Sequence, residues 1–134
     1  MGNRAVIQFQ FPAADHNTED TTGLYVHWNG GIESIQAFLD AAKDYGVRFD
    51  DYGLARLAQI IGNYFGGTLS LGAGKMKFLD CNNWDNGTYV VKNWKIVERK
   101  FVPDYAPEEF DQKKYEGVLE GVREANDRFF LDKR

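Results

Sequence analysis

The hydrophobic period of this chain changes from two to about 3.6 and back again, which restricts the fold to mixed α and β structure. Near the N-terminus Ile7, Phe9 and Phe11 alternate with Gln8 and Gln10, so residues 5–11 are expected to form a strand. Pro12 ends it, because proline cannot donate to a ladder. Residues 13–23 are polar and predict an exposed hairpin loop. Alternation then resumes, with Leu24, Val26 and Trp28 on one face and Tyr25 and His27 on the other. After the turn Asn29-Gly30-Gly31 the spacing becomes helical through Ile32, Ile35, Leu39, Ala42 and Tyr45, and Gly46 supplies a stop. A second helix is expected after Asp50 or Asp51 as cap. Its apolar stripe is Leu54, Leu57, Ile61 and Phe65, and Gly66-Gly67 ends it.

Strand signals follow. Residues 68–71 predict a short strand, 72–74 a glycine turn, 76–79 a further strand and 80–87 a loop dense in turn formers. The longest strand is expected over 88–102, with Val90, Trp94 and Ile96 on one face and Tyr89, Val91 and Val97 on the other. Pro107 with Glu108-Glu109 marks a helix start. Tyr115, Val118, Leu119, Val122, Ala125 and Phe129 line one face of that helix to about Phe130, with Gly117 and Gly121 weakening it. The order β-β-α-α-β-(β)-β-α lacks strict βαβ alternation. It predicts an α+β domain, a mostly antiparallel sheet packed against a central helix pair with a C-terminal helix. The 134 residues fit one domain, with 1–102 as its body and 103–134 as a charged C-terminal helix.

Composition narrows the function classes. A net charge of −4 argues against binding duplex nucleic acid, which calls for a basic face. Half of all the charged side chains fall between Glu98 and Arg134, with both signs mixed, so that segment is a solvated surface. No apolar run nears the roughly 20 residues of a membrane span. The N-terminus, with one arginine and an apolar stretch cut by Gln8 and Gln10, does not resemble a signal peptide. The lone Cys81 has no internal disulfide partner, which fits a reducing cytoplasm.

Catalytic signatures are sparse. Two histidines and one cysteine, far apart, do not make a zinc set, and no metal or other cofactor is expected. In the Asx-rich loop, Trp84 occupies a position where a calcium loop needs a ligand, so a hairpin turn is the simpler reading. Gly74-Lys75 lacks the spacing of a phosphate loop, and Met76 stands where Ser or Thr is required. His27 could serve a hydrolase, with Cys81 and an aspartate as a thiol site, but no local signature supports it. Better anion donors are the turn amides Asn29, Gly30 and Gly31 opening a helix, with Arg48 or Arg56 supplying charge for a nucleotide or other small ligand. The aromatic residues exceed what one small core needs. Trp28, Tyr52, Tyr64 and Trp84 are therefore candidate anchors for a partner.

Several strings carry a resemblance: Leu24-Tyr-Val-His-Trp-Asn-Gly-Gly31, Asp51-Tyr-Gly-Leu-Ala-Arg-Leu57, Ile61-Gly-Asn-Tyr-Phe-Gly-Gly67, Gly2-Asn-Arg-Ala-Val-Ile7 and Asp85-Asn-Gly-Thr-Tyr-Val90. Over roughly residues 1–100 the chain resembles a group of small uncharacterised proteins of bacteriophages, prophages and other mobile elements. The resemblance implies a setting in the bacterial cytoplasm and transfers no functional residue. The resulting expectation is a non-enzymatic accessory protein that binds a host protein, as an anti-CRISPR-like inhibitor of a bacterial defence system does. A ligand-sequestering protein and a His27 hydrolase are the alternatives. The apolar end of the last helix, Phe129-Phe130-Leu131, further suggests a homodimer.

Overall fold

The computed structural model describes residues 2–11, 21–102 and 109–131. Five strands form one sheet: β1 (Ala5–Phe9), β2 (Thr22–Val26), β3 (Leu71–Lys75), β4 (Thr88–Lys92) and β5 (Lys95–Lys100), in the order β3-β2-β1-β4-β5. Three helices accompany it: α1 (Ile32–Asp44), α2 (Asp51–Phe65) and α3 (Gln112–Phe130). Three neighbouring strand pairs are antiparallel, and the central pair, β1 with β4, is parallel. The fold is α+β, with the C-terminal helix packed on the other elements.

Alternation along β1 serves two covered faces. Ala5, Ile7 and Phe9 join Leu24, Val26, Tyr89 and Val91 in the core beneath the helices. Val6 and Gln8 point the other way, yet both are buried. The reason is topological. β3 and β4 both run parallel to β1 from opposite sides of it, so the segment joining them must cross the sheet. That segment, residues 76–87, covers the second face. Met76 is buried there, and a Cβ at Gly23 would lie 2.6 Å from Met76 Sδ and 3.1 Å from Leu79 Cδ1.

Helix α2 begins where the Asp50 carboxylate accepts the Gly53 N–H at 3.1 Å, and it ends at Gly66 with φ +80°. Helix α3 lies across both other helices. Tyr45 donates to Asp127 at 2.6 Å, Tyr115 donates to Asp40, and Arg123 pairs with Asp44 at 2.9 Å. Towards α2, the buried Asn126 amide donates to Ile60 O and accepts from Asn63.

Several sequence expectations are corrected. Thr22 and Gly23 belong to β2 rather than to the polar loop, whose residues 13–20 lie outside the described residues. The expected glycine turn 72–74 lies inside β3, where a strand edge tolerates Gly72 and Gly74. Residues 76–78 form a 3-10 turn instead of a strand. The long strand 88–102 is a hairpin. Asn93 and Trp94, at φ +51° and +64°, turn it in the geometry of a two-residue loop. Tertiary contacts hold Trp94 in that unfavourable region: its indole donates to Val47 O at 2.8 Å and meets Phe9 and Phe49 edge-on. Tyr89, Val91, Trp94 and Ile96 therefore share the helix side, and Val90 faces the crossing segment in register with Gln8. Helix α3 starts at an Asp111 cap, after Glu109, and Pro107 and Glu108 are outside the described residues. Its buried stripe is Val118, Val122 and Asn126, and Phe130 rather than Phe129 faces inward, stacked on Tyr45 at 4.8 Å.

The two α3 glycines differ in surroundings, which yields a paired prediction. A Cβ at Gly117 meets nothing within 4 Å, whereas one at Gly121 would stand 2.9 Å from Tyr64 Cε1. Gly117→Ala is expected to raise stability by about 0.5–1 kcal/mol through the backbone entropy of the unfolded chain. Gly121→Ala loses that gain, because the Tyr64 ring must move. Urea unfolding of the two variants measures the contrast, and equal gains would refute the α2–α3 packing described.

Candidate functional site

One end of the sheet collects the N-terminal ends of β1 and β4 and the C-terminal ends of β2 and β5. Backbone bonds knit these segments together. Asn3 N–H donates to His27 O at 2.9 Å, and Gly30 N–H donates to Asn3 O at 2.8 Å. The buried Tyr89 hydroxyl donates to Gly30 O at 2.8 Å, and Asn86 Nδ2 donates to Asn3 Oδ1 and Arg4 O.

The loop from Asp80 to Gly87 is organised by one side chain. Asn83 is 1 % exposed. Its Oδ1 accepts the N–H groups of Asp85, Asn86 and Gly87, each at 3.0 Å, and its Nδ2 donates to Asp80 O and Gly87 O. A carboxamide thus does what a cation does in a metal-binding loop, gathering the backbone around a centre. Arg4 clamps the outside, with Nε on Asp85 Oδ2 at 2.8 Å and Nη1 on Asp80 at 3.4 Å. The Arg4 hydrogen bond holds the Asp85 carboxyl below the usual aspartate value, against the opposing effect of burial.

This scaffold pushes Trp84 outward, at φ +64° and 73 % exposed. Phe101, 54 % exposed, also has positive φ (+58°), as does Asn29 (+56°). Bulky side chains seldom adopt this region, so two exposed aromatics held there mark a shaped surface. Between Trp84, Val102 and the start of α1 lies a cavity of about 360 Å³ that also takes in Glu33, Arg99 and Lys114. The Arg99 guanidinium sits 4.3 Å over the Tyr89 ring and donates to Asn86 O at 2.9 Å. Glu33, only 6 % exposed, accepts the Asp111 N–H at 3.1 Å and lies 4.0 Å from Lys114 Nζ.

The sequence candidates divide by location. Gly31 and Trp84 line the cavity together. The Asn29 side chain donates to Ser34 Oγ at 3.1 Å, and Gly30 spends its backbone N–H on Asn3 O, so one of the turn amides is used by the chain itself. Trp28 is 45 % exposed, its ring meeting His27 edge-on at 4.9 Å. His27 Nδ1 pairs with the Tyr25 hydroxyl at 2.8 Å, the partner the structure gives the candidate catalytic histidine. Cys81 does not complete a thiol site with it: Sγ donates to Met76 O, and burial pushes the thiol above its usual value, away from the reactive thiolate. Arg48 and Arg56 do not reach the Gly31 turn. They flank the Tyr52 ring at 4.3 and 5.1 Å beyond the far end of α1, whose 13 residues span about 20 Å. Tyr64 is engaged inside the helix layer, 5.7 Å from both Phe38 and Phe65.

Arg99, Lys114, Glu33 and Val102 are site residues that the sequence reading missed. They come from β5 and the residues just after it, α1 and the start of α3, and only folding brings them to Trp84. Among the described residues no group of His, Cys, Asp and Glu could hold a metal ion, and no helix is long and apolar enough to cross a membrane. Comparison with protein-family models, with curated proteins and with solved structures finds no match.

The Arg4–Asp85 clamp gives a pH prediction. A carboxyl depressed in the folded state adds stability above the ordinary aspartate range, and that contribution is lost as pH falls through the range. Thermal melts of the wild type are expected to fall more steeply on acidification than those of Asp85→Asn. Parallel slopes would remove the clamp from the account of this loop.

Proposed function

We propose that this chain is a non-enzymatic accessory protein of a phage or other mobile element that binds a host protein, an inhibitor of a bacterial defence system. The binding surface is the Trp84 end of the sheet. The observation that carries this reading is the exposed Trp84, held in left-handed backbone on the lining of a partly charged cavity. Aromatic side chains bury a large area for few rotatable bonds, which is why they serve as interface anchors. The setting, a bacterial cytoplasm, rests on the resemblance of the Leu24–Gly31 and Ile61–Gly67 strings to phage-associated proteins. A second reading, a small-ligand or nucleotide binder, draws on the same cavity, where Arg99 and Lys114 could meet an anion beside the Trp84 indole.

Tagged protein incubated with native bacterial lysate, followed by native mass spectrometry, tests the first reading. A host protein is expected in stoichiometric amount with the wild type and with Tyr52→Ala, which alters the far end. Trp84→Ala is expected to weaken capture about 30-fold, the equivalent of a 2 kcal/mol anchor. No captured protein, or equal capture by Trp84→Ala, would sink the host-binding reading. A rise in melting temperature with a nucleotide, abolished by Arg99→Gln, would move the site to the second.

A further inference from the structure

The two edges of the sheet differ in chemistry. β5 carries Lys95, Glu98, Arg99 and Lys100 among its six residues, the kind of charge that keeps an exposed strand from pairing. β3 reads Leu71-Gly-Ala-Gly-Lys75, and from Thr68 to Gly74 the chain has no charged side chain. Leu69, just ahead of the strand, is wholly exposed. Among the described residues no strand pairs with the outer side of β3.

The β2–β3 ladder settles which groups face outward. His27 N–H donates to Ser70 O at one end, and Met76 N–H donates to Thr21 O at the other. Together with the register, these bonds make Tyr25–Gly72 and Gly23–Gly74 the hydrogen-bonded pairs. Backbone groups alternate along a strand, so the N–H and C=O of Ala73 point away from β2.

We propose that a second copy of this chain pairs with β3, antiparallel, about a twofold axis at Ala73, and joins two five-stranded sheets into one. A second copy fits this edge in geometry and in charge. Of the outward positions 71, 73 and 75, Leu71 already gives its N–H to Thr68 O at 3.0 Å, which leaves Ala73 as the natural centre of an antiparallel pairing. Ala73 exchanges both hydrogen bonds with Ala73 of the second copy, an isologous contact that closes. Lys75 falls opposite Leu71 of the second copy. Parallel in-register pairing would instead bring Lys75 beside Lys75, which like charge disfavours. The end of α3, the other apolar candidate for self-association, already docks on its own body through Phe130 and Tyr45. A five-residue edge buries less than the roughly 800 Å² per partner of a stable complex, so the dimer forms at high concentration and dissociates on dilution.

Sedimentation velocity from about 10 µM to about 1 mM tests this, with a shift from 15.3 kDa towards twice that mass expected. Ala73→Pro deletes the outward N–H without removing a β2 bond and is expected to weaken the dimer at least tenfold while helical circular dichroism stays unchanged. If that variant fails to fold, cross-linking decides. A hydrogen-bonded antiparallel pair sets Cα atoms about 5.5 Å apart, within disulfide range, so Ala73→Cys in a Cys81→Ser background should oxidise to a covalent dimer. Glu98→Cys in the same background should not. A wild type that stays monomeric to about 1 mM, a dimer untouched by Ala73→Pro, or a failure of Ala73→Cys to cross-link overturns the proposal.

Discussion

Val6 to Thr88 and Phe9 to Val91 form the parallel ladder at the centre of the sheet, and most of the molecule follows from it. Parallel strands cannot be joined by a tight turn, so chain must travel over a face of the sheet. Here that chain is the crossing segment after β3, which has almost no regular structure of its own. It buries Val6, Gln8 and Val90 from the side away from the helices. It then has to arrive at the start of β4 in the right direction, and the Asn83 carboxamide makes that approach by satisfying five backbone groups at once. Trp84 is displayed because the loop around it has no other slack.

Helix α3 is held by a different chemistry. Two phenol–carboxylate bonds, Tyr45 to Asp127 and Tyr115 to Asp40, join its ends to α1. Burial first, and the neighbouring carboxylates after it, raise both phenols above their usual value, Tyr115 to about 12. Both hydroxyls therefore remain protonated donors across the physiological range. A phenol raised in the folded state gives stability that is complete below its ordinary value near 10 and disappears only as pH rises beyond it. The mixed-sign composition of the C-terminal quarter is thus more than solvation, since Arg123 and Asp127 have partners on α1 and its cap, Asp44 and Tyr45, across the α1–α3 seam.

The parts of the fold legible in the sequence are those whose signals are local. Helical spacing, the Asp50 cap and the Gly66 stop bound α1 and α2 to within a residue or two. The strand expected over 68–71 lies instead at Leu71–Lys75, after a turn, because two glycines in five residues mimic a turn and only pairing with β2 makes them a strand. The β4–β5 turn was hidden because Asn93-Trp94 lacks the usual glycine, and the contacts that hold Trp94 there come from Phe9, Val47 and Phe49. At the site, Trp84 and the Gly31 turn were visible as a loop tryptophan and a glycine pair. Their cationic neighbours were not, since Arg99 and Lys114 lie on β5 and α3 and nothing in linear sequence sets them against α1. Arg48 and Arg56 looked nearer to Gly31 along the chain than they are in space, because α1 carries the chain away from it.

The Trp84 end and the β3 edge bear on each other through strand direction. Leu71 lies at the Trp84 end of β3, because it pairs with Val26 at the end of β2. Antiparallel pairing about Ala73 sets the Leu71 end of one copy beside the Lys75 end of the other. The two Trp84 surfaces of such a dimer therefore point in opposite directions along the joined sheet, and neither is covered by the pairing. A dimer of this kind presents two separate Trp84 surfaces and could not close both on one small target. Any gain in apparent affinity would require a target whose repeated sites are spaced by the length of the sheet, since a second binding event helps only where geometry lets both engage at once.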